Sequence, residues 1–262
     1  MDNIFNNEYS SFFAEFYDIL HSDTTDVKAL IRIAQKCGPN VLEFGSGTGR
    51  ILIPMAKAGL NVTGLELSQD MIDIANRKLE QEESTAKSRC KILQGNVLDF
   101  NLGITFDLVL ASCNFINHFT DYKSLKKMFA QVRNYLKDDG VFLVDCSLPD
   151  LPTMVEANHK QEEFEFVNSE KGTKIIDRFT PSYDLINQLE HDHIVLEEYK
   201  EGQLLRWEEC KETMSFYFLR EMIFLLESEE LTVFHQQGSL YNDTPIDKDA
   251  EEMVLFCRKV TS

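Results

Sequence analysis

Residues 43–50 read Glu-Phe-Gly-Ser-Gly-Thr-Gly-Arg and overlap the end of a short apolar run at 41–44. A helical pattern follows at about 49–58. Glycines between a strand and a helix permit a tight turn and let a ligand approach the backbone closely. The start of the helix adds N–H groups that have no partner inside the helix. This stretch therefore predicts a nucleotide-like ligand, held where a strand turns into a helix.

The residues at the two ends of the glycine loop separate the possible ligand classes. A dinucleotide-binding loop needs a small residue where Arg50 stands. A P-loop ends in Gly-Lys-Ser or Gly-Lys-Thr, and this loop does not. Glu43 precedes the loop, and its carboxylate would repel a pyrophosphate. The same carboxylate suits a ligand that carries a sulfonium and an ammonium group.

The chain around this loop alternates short apolar runs with helical patterns. Strands are predicted at 41–44, 61–65, 91–94, 106–111 and 141–146. Helices are predicted at 25–37, at 49–58, from the N-cap Ser68 to about 82, and at 122–137, where Lys-Asp-Asp-Gly at 137–140 stops the helix. Strands that alternate with helices indicate a parallel, doubly wound α/β sheet.

The pattern changes after Pro149. Residues 185–199 alternate, the segment 199–203 can turn the chain, and 204–213 read as a second strand. This pair predicts an antiparallel sheet inserted after the fifth strand. A helix at 215–226 and strands at 231–235 and 253–258 complete the chain. One face of the first cap strand is predicted to carry Leu185, Asn187, Leu189, His191, His193 and Val195.

The glycine loop resembles motif I of the class I methyltransferases that use S-adenosylmethionine (SAM). Further segments resemble the same family in the same order, namely Glu66 at the end of the second strand and residues 95–100, 106–111 and 136–142. The resemblance covers about residues 38–147, and the last helix and two strands also fit. It implies a seven-stranded Rossmann-like α/β fold with an inserted antiparallel β cap, and SAM as the cofactor.

The resemblance also implies which residues bind SAM. Glu66 would accept both ribose hydroxyls, or would only cap the next helix. Asn96 replaces the usual aspartate, and its amide oxygen can accept from the adenine amino group, while Asp99 serves the turn. Arg50 would contact the cofactor carboxylate, or form a salt bridge only. The residues expected at the cofactor are Glu43, Gly45, Ser46, Gly47, Arg50, Glu66, Leu67, Asn96, Val97 and Ala111.

The segment after the fourth strand bears on the methyl acceptor. Residues 111–114 lack the Asp/Asn-Pro-Pro-aromatic motif of enzymes that methylate base amino groups, and Cys113 lacks the proline that precedes the nucleophile of pyrimidine C5 enzymes. Residues 114–119 resemble the same loop in bacterial N-methyltransferases that act on amino sugars, glycopeptides and modified peptides. Those enzymes also have an N-terminal helix similar to residues 13–18. The resemblance implies that Tyr17 and His118 flank the acceptor amine.

Two other functions stay open at this point. One is O-methylation of a small hydroxyl or carboxyl acceptor, with His118 as the base. The other is a non-catalytic SAM-binding partner protein, against which the intact glycine loop and the cap argue. Acceptor specificity is expected in a lid helix at 1–23, the loop 112–121 and the cap 148–213. Residues 24–147 and 214–262 are expected to form the core.

Charge narrows the class of partner. The formal net charge is −18; residues 1–149 hold 15 basic and 19 acidic residues, whereas residues 150–262 hold 11 and 25. A negative field repels the phosphates of nucleic acid, so nucleic acid is not an expected partner. The same field favours a cationic or amine acceptor, unless it serves solubility alone.

Cysteine spacing and hydropathy indicate the compartment. The six cysteines are scattered, which indicates reduced, buried thiols. No apolar run reaches about 18 residues, and the N-terminus has no basic region of a signal peptide, so a cytoplasmic enzyme with no membrane contact is expected. His191 and His193 share a strand face, but only Cys210 can join them, so no metal site is expected. The two histidines can line the acceptor cavity instead. Nothing in the sequence indicates an oligomeric state.

Overall fold

A computed structural model describes residues 11–260 of the chain. The strands are β1 (Asn40–Phe44), β2 (Asn61–Glu66), β3 (Cys90–Gln94), β4 (Phe106–Ala111), β5 (Leu136–Ser147), β6 (Glu162–Asn168), β7 (Thr173–Asp184), β8 (Leu189–Lys200), β9 (Gln203–Ser215), β10 (Leu231–Gln237) and β11 (Glu252–Lys259). The helices are α1 (Ser11–Leu20), α2 (Thr25–Cys37), α3 (Leu52–Lys57), α4 (Gln69–Glu80), α5 (Ser84–Arg89), α6 (Tyr122–Tyr135), α7 (Leu151–Ala157) and α8 (Leu219–Ser228), with a 3₁₀ helix at Phe115–His118.

Seven strands form the core sheet in the order β10-β11-β5-β4-β1-β2-β3. The pairs from β3 through β5 are parallel, and β11 runs antiparallel to both β5 and β10. The predicted seven-stranded Rossmann-like fold is confirmed. The strand order reverses between β1 and β4, so the loops that follow these two strands border one crevice. Ligands of doubly wound sheets bind at such a switch point.

The core sheet is apolar on both faces. Leu42 and Val109 belong to the layer that packs under α6 and α8, whereas Val41 and Leu108 belong to the layer under α2 and α3. A parallel strand covered on both sides has no solvent face, which is why these strands read as continuous apolar runs. This arrangement leaves the carboxyl ends of the strands as the places where polar side chains meet a ligand.

The boundary between α6 and β5 differs from the prediction. The helix ends at Tyr135, and the strand begins at Leu136, five residues before the predicted start. Residues 137–140 do not stop the helix; they bulge out of the ladder, because Leu136 pairs with Phe106 and the next pair joins Val141 to Leu108. A Cβ at Gly140 would lie 3.0 Å from the Phe106 carbonyl oxygen, so close packing in the bulge favours glycine there.

Several other elements were missed or misplaced by the sequence analysis. The elements α5, α7, β6 and β7 were not predicted. Residues 185–188 form the turn before β8, so the predicted strand starts too early. The helix expected at 215–226 is α8, which begins at Leu219 because β9 continues to Ser215. The N-cap at Ser68 is confirmed, since its Oγ accepts from the Met71 N–H at 3.4 Å.

The cap is a separate antiparallel sheet in the order β6-β7-β8-β9. Helix α1 packs on it through Phe12, Phe13 and Phe16, which share an apolar cluster with Ile175 and Leu196.

Ion pairs fasten the same helix to the cap. Glu15 pairs with Lys171 and with Arg206, whose Nη1 lies 2.9 Å from Glu15 Oε2. The Arg206 guanidinium also lies over the Phe12 ring, 4.4 Å from its centroid. The predicted lid helix therefore packs on the cap, but Asp18 near its end also joins it to the core by accepting from Thr48 Oγ1 at 2.6 Å and pairing with Lys78 at 2.8 Å. Residues 1–10 of the predicted lid lie outside the described part of the chain.

No helix within residues 11–260 is both long enough and apolar enough to span a bilayer.

Candidate active site

A cavity of about 1030 Å³ opens at the carboxyl ends of the parallel strands. Its walls come from the glycine loop, the ends of β2 and β5, the loop after β4, helix α1 and the cap. This volume is at the upper end of what a single drug-sized ligand occupies. It therefore has room for a cofactor and an acceptor side by side.

The glycine loop is tied to the neighbouring strand and leaves one glycine open to the cavity. The Gly45 N–H donates to the Leu65 carbonyl oxygen at 2.8 Å. Gly45 has a φ of +66°, and a Cβ there would overlap the Phe115 ring. Gly47 has a φ of +52°, and nothing lies within 4 Å of the position its Cβ would take. A ligand can therefore lie directly against the Gly47 backbone.

Glu66 joins the glycine loop to the turn after β2. Its Oε2 accepts from the Gly47 N–H at 2.9 Å, and its Oε1 accepts from the N–H groups of Leu67 and Ser68 at 2.8 Å each. A carboxylate has about four acceptor positions, and three are used here. The expected pair of ribose hydroxyls would thus meet one remaining acceptor position, unless a backbone bond gives way.

Asn96 is also partly committed. Its Oδ1 accepts from the Leu98 N–H at 2.8 Å and so stabilises the turn after β3. The amide oxygen that was expected to receive the adenine amino group already has one partner. Asn96 lines the cavity with Val97, and the exposed Leu67 lies on the same wall.

Arg50 forms a salt bridge, which is one of the two roles expected for it. Its Nη1 and Nη2 donate to the two carboxylate oxygens of Asp26, at 2.9 and 2.6 Å. Although burial opposes ionisation, this guanidinium lowers the pKa of Asp26 below its usual value. The pair ties the start of α2 to the glycine loop.

The predicted cofactor residues fall into two groups. Glu43, Ser46 and Ala111 lie behind the cavity wall and are buried. Burial raises the pKa of Glu43 to about 8, and its Oε2 has no hydrogen-bond partner within residues 11–260. The residues that line the cavity are Gly45, Gly47, Arg50, Glu66, Leu67, Asn96 and Val97.

The loop after β4 has an unusual backbone. Cys113 and Asn114 are consecutive left-handed residues, with φ of 58° and 60°. Asn114 Oδ1 accepts from the Ser147 N–H at 2.7 Å, and the Cys113 N–H donates to Asp145 Oδ2 at 2.9 Å. Left-handed conformations cost free energy in residues other than glycine and persist where the surroundings enforce them. Here they turn the chain into the 3₁₀ helix that carries His118.

His118 lines the cavity and meets the cap. Its Nδ1 lies 3.2 Å from Oε1 of Glu212, a β9 residue that is 7% exposed. The distance is that of an ion pair without hydrogen-bond geometry, because Glu212 Oε1 has no hydrogen-bond partner among residues 11–260. The charge of this carboxylate nevertheless favours a proton on Nδ1. Sequence analysis missed Glu212, because it lies 94 positions away in a strand whose alternation shows no apolar face.

Tyr17 comes from α1 and lines the same cavity. Burial raises its pKa to about 12, with the neighbouring Cys113 acting in the same direction. The phenol is therefore protonated at neutral pH and acts there as a hydrogen-bond donor. Of the expected catalytic residues, the structure places both in the same cavity.

The predicted face of the first cap strand is the wrong one. His191 Nδ1 lies 3.0 Å from Thr213 Oγ1, and His193 Nε2 lies 2.9 Å from Glu209 Oε1, on the side away from the cavity. The alternate residues face inward, and Glu190 reaches the cavity. Cys210 pairs with Ile194 and belongs to that inner face, so it does not join the two histidines.

Comparisons with known proteins agree with this geometry. Residues 42–142 match the methyltransferase domain family. A putative methyltransferase of Geobacillus sp. (strain WCH70) is 23% identical over 88% of this chain and 89% of its own length. The dTDP-3-amino-3,6-dideoxy-alpha-D-glucopyranose N,N-dimethyltransferase of Streptomyces fradiae is 29% identical, over 53% of this chain and 54% of that enzyme. The solved CcbJ methyltransferase of Streptomyces caelestis has a TM-score of 0.79 at 19% identity, over 98% and 100% of the two chains.

The residues of the cavity fit SAM. The open backbone at Gly47, the carboxylate of Glu66 and the polar turn at Asn96 lie along one side of the cavity. The side chain of Leu67 is exposed on that side and offers apolar contact to a base.

Proposed function

We propose that this chain, a methyltransferase that uses SAM as its cofactor, methylates an amine of a small-molecule or modified-peptide natural product. The observation that carries the proposal is the pairing of His118 with Glu212 in the cavity that Tyr17 also lines. The name of the Streptomyces fradiae relative, an amino-sugar N,N-dimethyltransferase, supports the same class of acceptor.

We propose that different parts of the chain bind the cofactor and the acceptor. Residues 24–147 and 214–262 hold the cofactor, while the lid and the cap, 148–213, supply the acceptor pocket. Met154 and Glu190 of the cap line the cavity, and Met214 and Phe216, which directly follow the cap in the chain, line it as well. A carboxylate that shares the cavity with thioethers and an aromatic ring suits an acceptor with a basic group and an apolar or sugar-like body.

The cofactor supplies a methyl group bound to a positively charged sulfur. A protonated amine has no lone pair, so the protein must receive one proton and orient the nitrogen. With a proton on Nδ1 beside Glu212, the Nε2 of His118 is the basic nitrogen of the ring. It can accept the amine proton, and the Tyr17 hydroxyl can donate to a polar group of the acceptor.

The cavity carries an acidic wall that favours this chemistry. Asp145, Glu190 and Glu252 line it, whereas Arg50, the one arginine that lines it among residues 11–260, pairs with Asp26. Preorganised carboxylates stabilise positive charge that stays on the acceptor after transfer. The same wall would oppose an acceptor that carries a carboxylate.

O-methylation is the second candidate, because a histidine paired with a carboxylate can also deprotonate a hydroxyl. The two candidates are separated by an assay with free amino sugars and their hydroxy analogues, in which mass spectrometry measures the methyl gain of each acceptor. We expect a methyl gain on the amino sugar alone. Methylation of the hydroxy analogue alone would contradict N-methylation, and binding of S-adenosylhomocysteine without turnover of any acceptor would favour a non-catalytic protein.

A further inference from the structure

The end of β5 carries a carboxylate where the pattern of the strand calls for an apolar side chain. Val141 and Leu143 precede Asp145 on the same face, and both are buried in the apolar layer. The cross-strand partner of Asp145 is Val254, a residue of the same layer. Asp145 is 5% exposed and lines the cavity. An acid at such a position is costly unless it is paired.

No cation of the described chain pairs with Asp145. Its Oδ2 accepts from the Cys113 N–H, and its Oδ1 has no hydrogen-bond partner among residues 11–260. The nearby guanidinium of Arg50 is not available, because both of its terminal nitrogens donate to Asp26. The second carboxylate of this part of the cavity is Glu252, whose Oε1 accepts from the Leu240 N–H at 2.6 Å.

Charges around Asp145 make the site responsive to a ligand. Burial raises the pKa of Asp145 to about 7, although the Cys113 N–H lowers it. Glu252 and Asp26 raise it further, and Arg50 lowers it. The adjoining thiols, Cys113 and Cys146, have raised pKa values and are neutral near pH 7. A ligand cation beside Oδ1 would favour the ionised carboxylate and gain a desolvated, charge-assisted bond.

We infer that Asp145 and Glu252 form a subsite for a second cationic group of the acceptor. The acceptor then carries two basic groups, an amine that is methylated near His118 and an ammonium or guanidinium group that is bound at Asp145. This inference rests on the proposed N-methylation. It narrows the acceptor class to diamines and other dibasic molecules.

The test uses the full chain loaded with S-adenosylhomocysteine. Calorimetry compares α,ω-diaminoalkanes with 1-aminoalkanes of the same length. The best diamine is expected to bind about tenfold more tightly than its monoamine, as a bond between buried charges is worth that much. Asp145→Asn keeps the shape of the side chain and an acceptor for the Cys113 N–H, so it is expected to remove the preference. Asp23→Asn is the matched control, because Asp23 lines the same cavity but is solvated.

A second measurement needs no variant. Because Asp145 ionises near pH 7, the preference for the diamine over the monoamine is expected to increase from about pH 6 to about pH 8. The charged side chains that act on Asp145 from neighbouring elements are Asp26, Arg50 and Glu252.

The outcomes separate the inference from the proposed function. Monoamines that bind and are methylated, without any preference for diamines, would overturn the inference alone. A preference that survives in Asp145→Asn would do the same. Loss of S-adenosylhomocysteine affinity in that variant, with amine binding unchanged, would assign Asp145 to the cofactor. If no amine binds the loaded protein, the inference and N-methylation both fail.

Discussion

The core sheet and the cap sheet place buried acids differently. In the core, the buried acids Glu43 and Asp145 lie near the carboxyl ends of β1 and β5, and the residues directly before them, 41–42 and 141–144, are buried and apolar. In the cap, Asp192 of β8 and Glu212 of β9 are buried and lie opposite each other in the ladder. The core thus has its buried acids near the edge where a ligand binds, whereas the cap has buried acids on its inner face.

This contrast explains a difference in how the two regions balance their charges. Within the cap, Glu198 is satisfied by Thr173 and Arg206, and these partners lower its pKa despite burial. For Asp192, burial raises the pKa to about 8, and Glu190 and Glu212 act in the same direction. The paired acid Glu198 therefore stabilises the part of the cap beside α1, whereas the like charges around Asp192 lower the stability of the part beside His118. If the core serves the cofactor and the cap serves the acceptor, substitutions in the two regions should change different quantities.

The largest effect is expected at the glycine loop. Gly47→Asp places a side chain in the space that the ligand needs, and the aspartate would have to adopt a φ of +52°. SAM binding should therefore be abolished. Gly172→Asp is the matched control, since Gly172 has a φ of +63° and open space but lies in a cap turn. Calorimetry with SAM, S-adenosylhomocysteine and NAD checks this. Tight binding of NAD to the wild type, or SAM binding by the Gly47 variant, would contradict the assignment of the core.

The next effect concerns turnover. If His118 takes the amine proton, His118→Ala should lower kcat by about 10²–10⁴-fold, and raising the pH should restore part of it for an amine acceptor. Glu212→Gln should give a smaller loss, because it removes only the charge that favours a proton on Nδ1. His193→Ala is the control, as His193 has the same kind of pairing with Glu209 on the outer face. Rates equal to wild type at every pH in His118→Ala and Tyr17→Phe would remove both residues from the site.

Glu66 tests the core again with a smaller change. Glu66→Ala should weaken SAM binding by about 2–3 kcal/mol, because charge-assisted hydrogen bonds are the stronger kind. Part of this loss comes from the Gly47 N–H, which loses its partner. Asp99→Asn serves as a control in the neighbouring turn. An unchanged SAM affinity in Glu66→Ala would show that the carboxylate only shapes the two loops.

Asp192 tests the electrostatic cost of the cap. Because its pKa is higher in the folded state than the usual 3.8, the folded protein holds the proton longer, and stability falls as the pH rises from about 4 to about 8. Asp192→Asn should therefore raise the free energy of unfolding by about 1–3 kcal/mol near pH 8, with little change near pH 4. Thermal unfolding across this range measures it, with the exposed Asp249→Asn as control. A variant that is less stable at pH 8 would indicate an unrecognised partner for this acid.

The smallest effect concerns the inner cap face. Glu190→Gln should raise acceptor KM several-fold and leave SAM affinity unchanged, since Glu190 lines the cavity from the cap side. His191→Gln, one position along and on the outer face, should change neither quantity. Loss of SAM affinity in Glu190→Gln, with KM preserved, would mean that the cap also serves the cofactor.

Much of the core could be predicted from sequence because each of its signals is local. A glycine loop, an acid at the end of β2 and apolar runs buried on both faces identify the fold within about a hundred residues. The bonds within the site could not be found in that way. Arg50 donates to Asp26, and Asn96 accepts from the Leu98 N–H. These partners depend on the positions of loops in space.

The cap was predicted less well for a physical reason. Alternation assigns the inner face to the apolar residues, but β8 buries Asp192 and Glu198 and exposes His191. When the buried face of a strand contains acids, hydrophobicity no longer shows which of the two alternating sets of residues faces inward. The strands β6 and β7 were missed as well. In β6 the apolar residues Phe164 and Val167 lie on opposite faces and are both exposed, so the apolar positions do not mark one buried face.

The attachment of α1 to the cap bears on how new specificity is acquired. Phe12, Phe13 and Phe16 bury themselves against cap residues, and Glu15 is paired with Lys171 and Arg206. A chimaera that exchanges the cap alone would leave the three aromatic rings and the one acid of α1 without their partners. A graft that carries the N-terminal helix along with the cap keeps that interface whole. If α1 and the cap select the acceptor, as proposed above, the segment that must be exchanged to change specificity is discontinuous in sequence: one part precedes the core and the other is inserted in it.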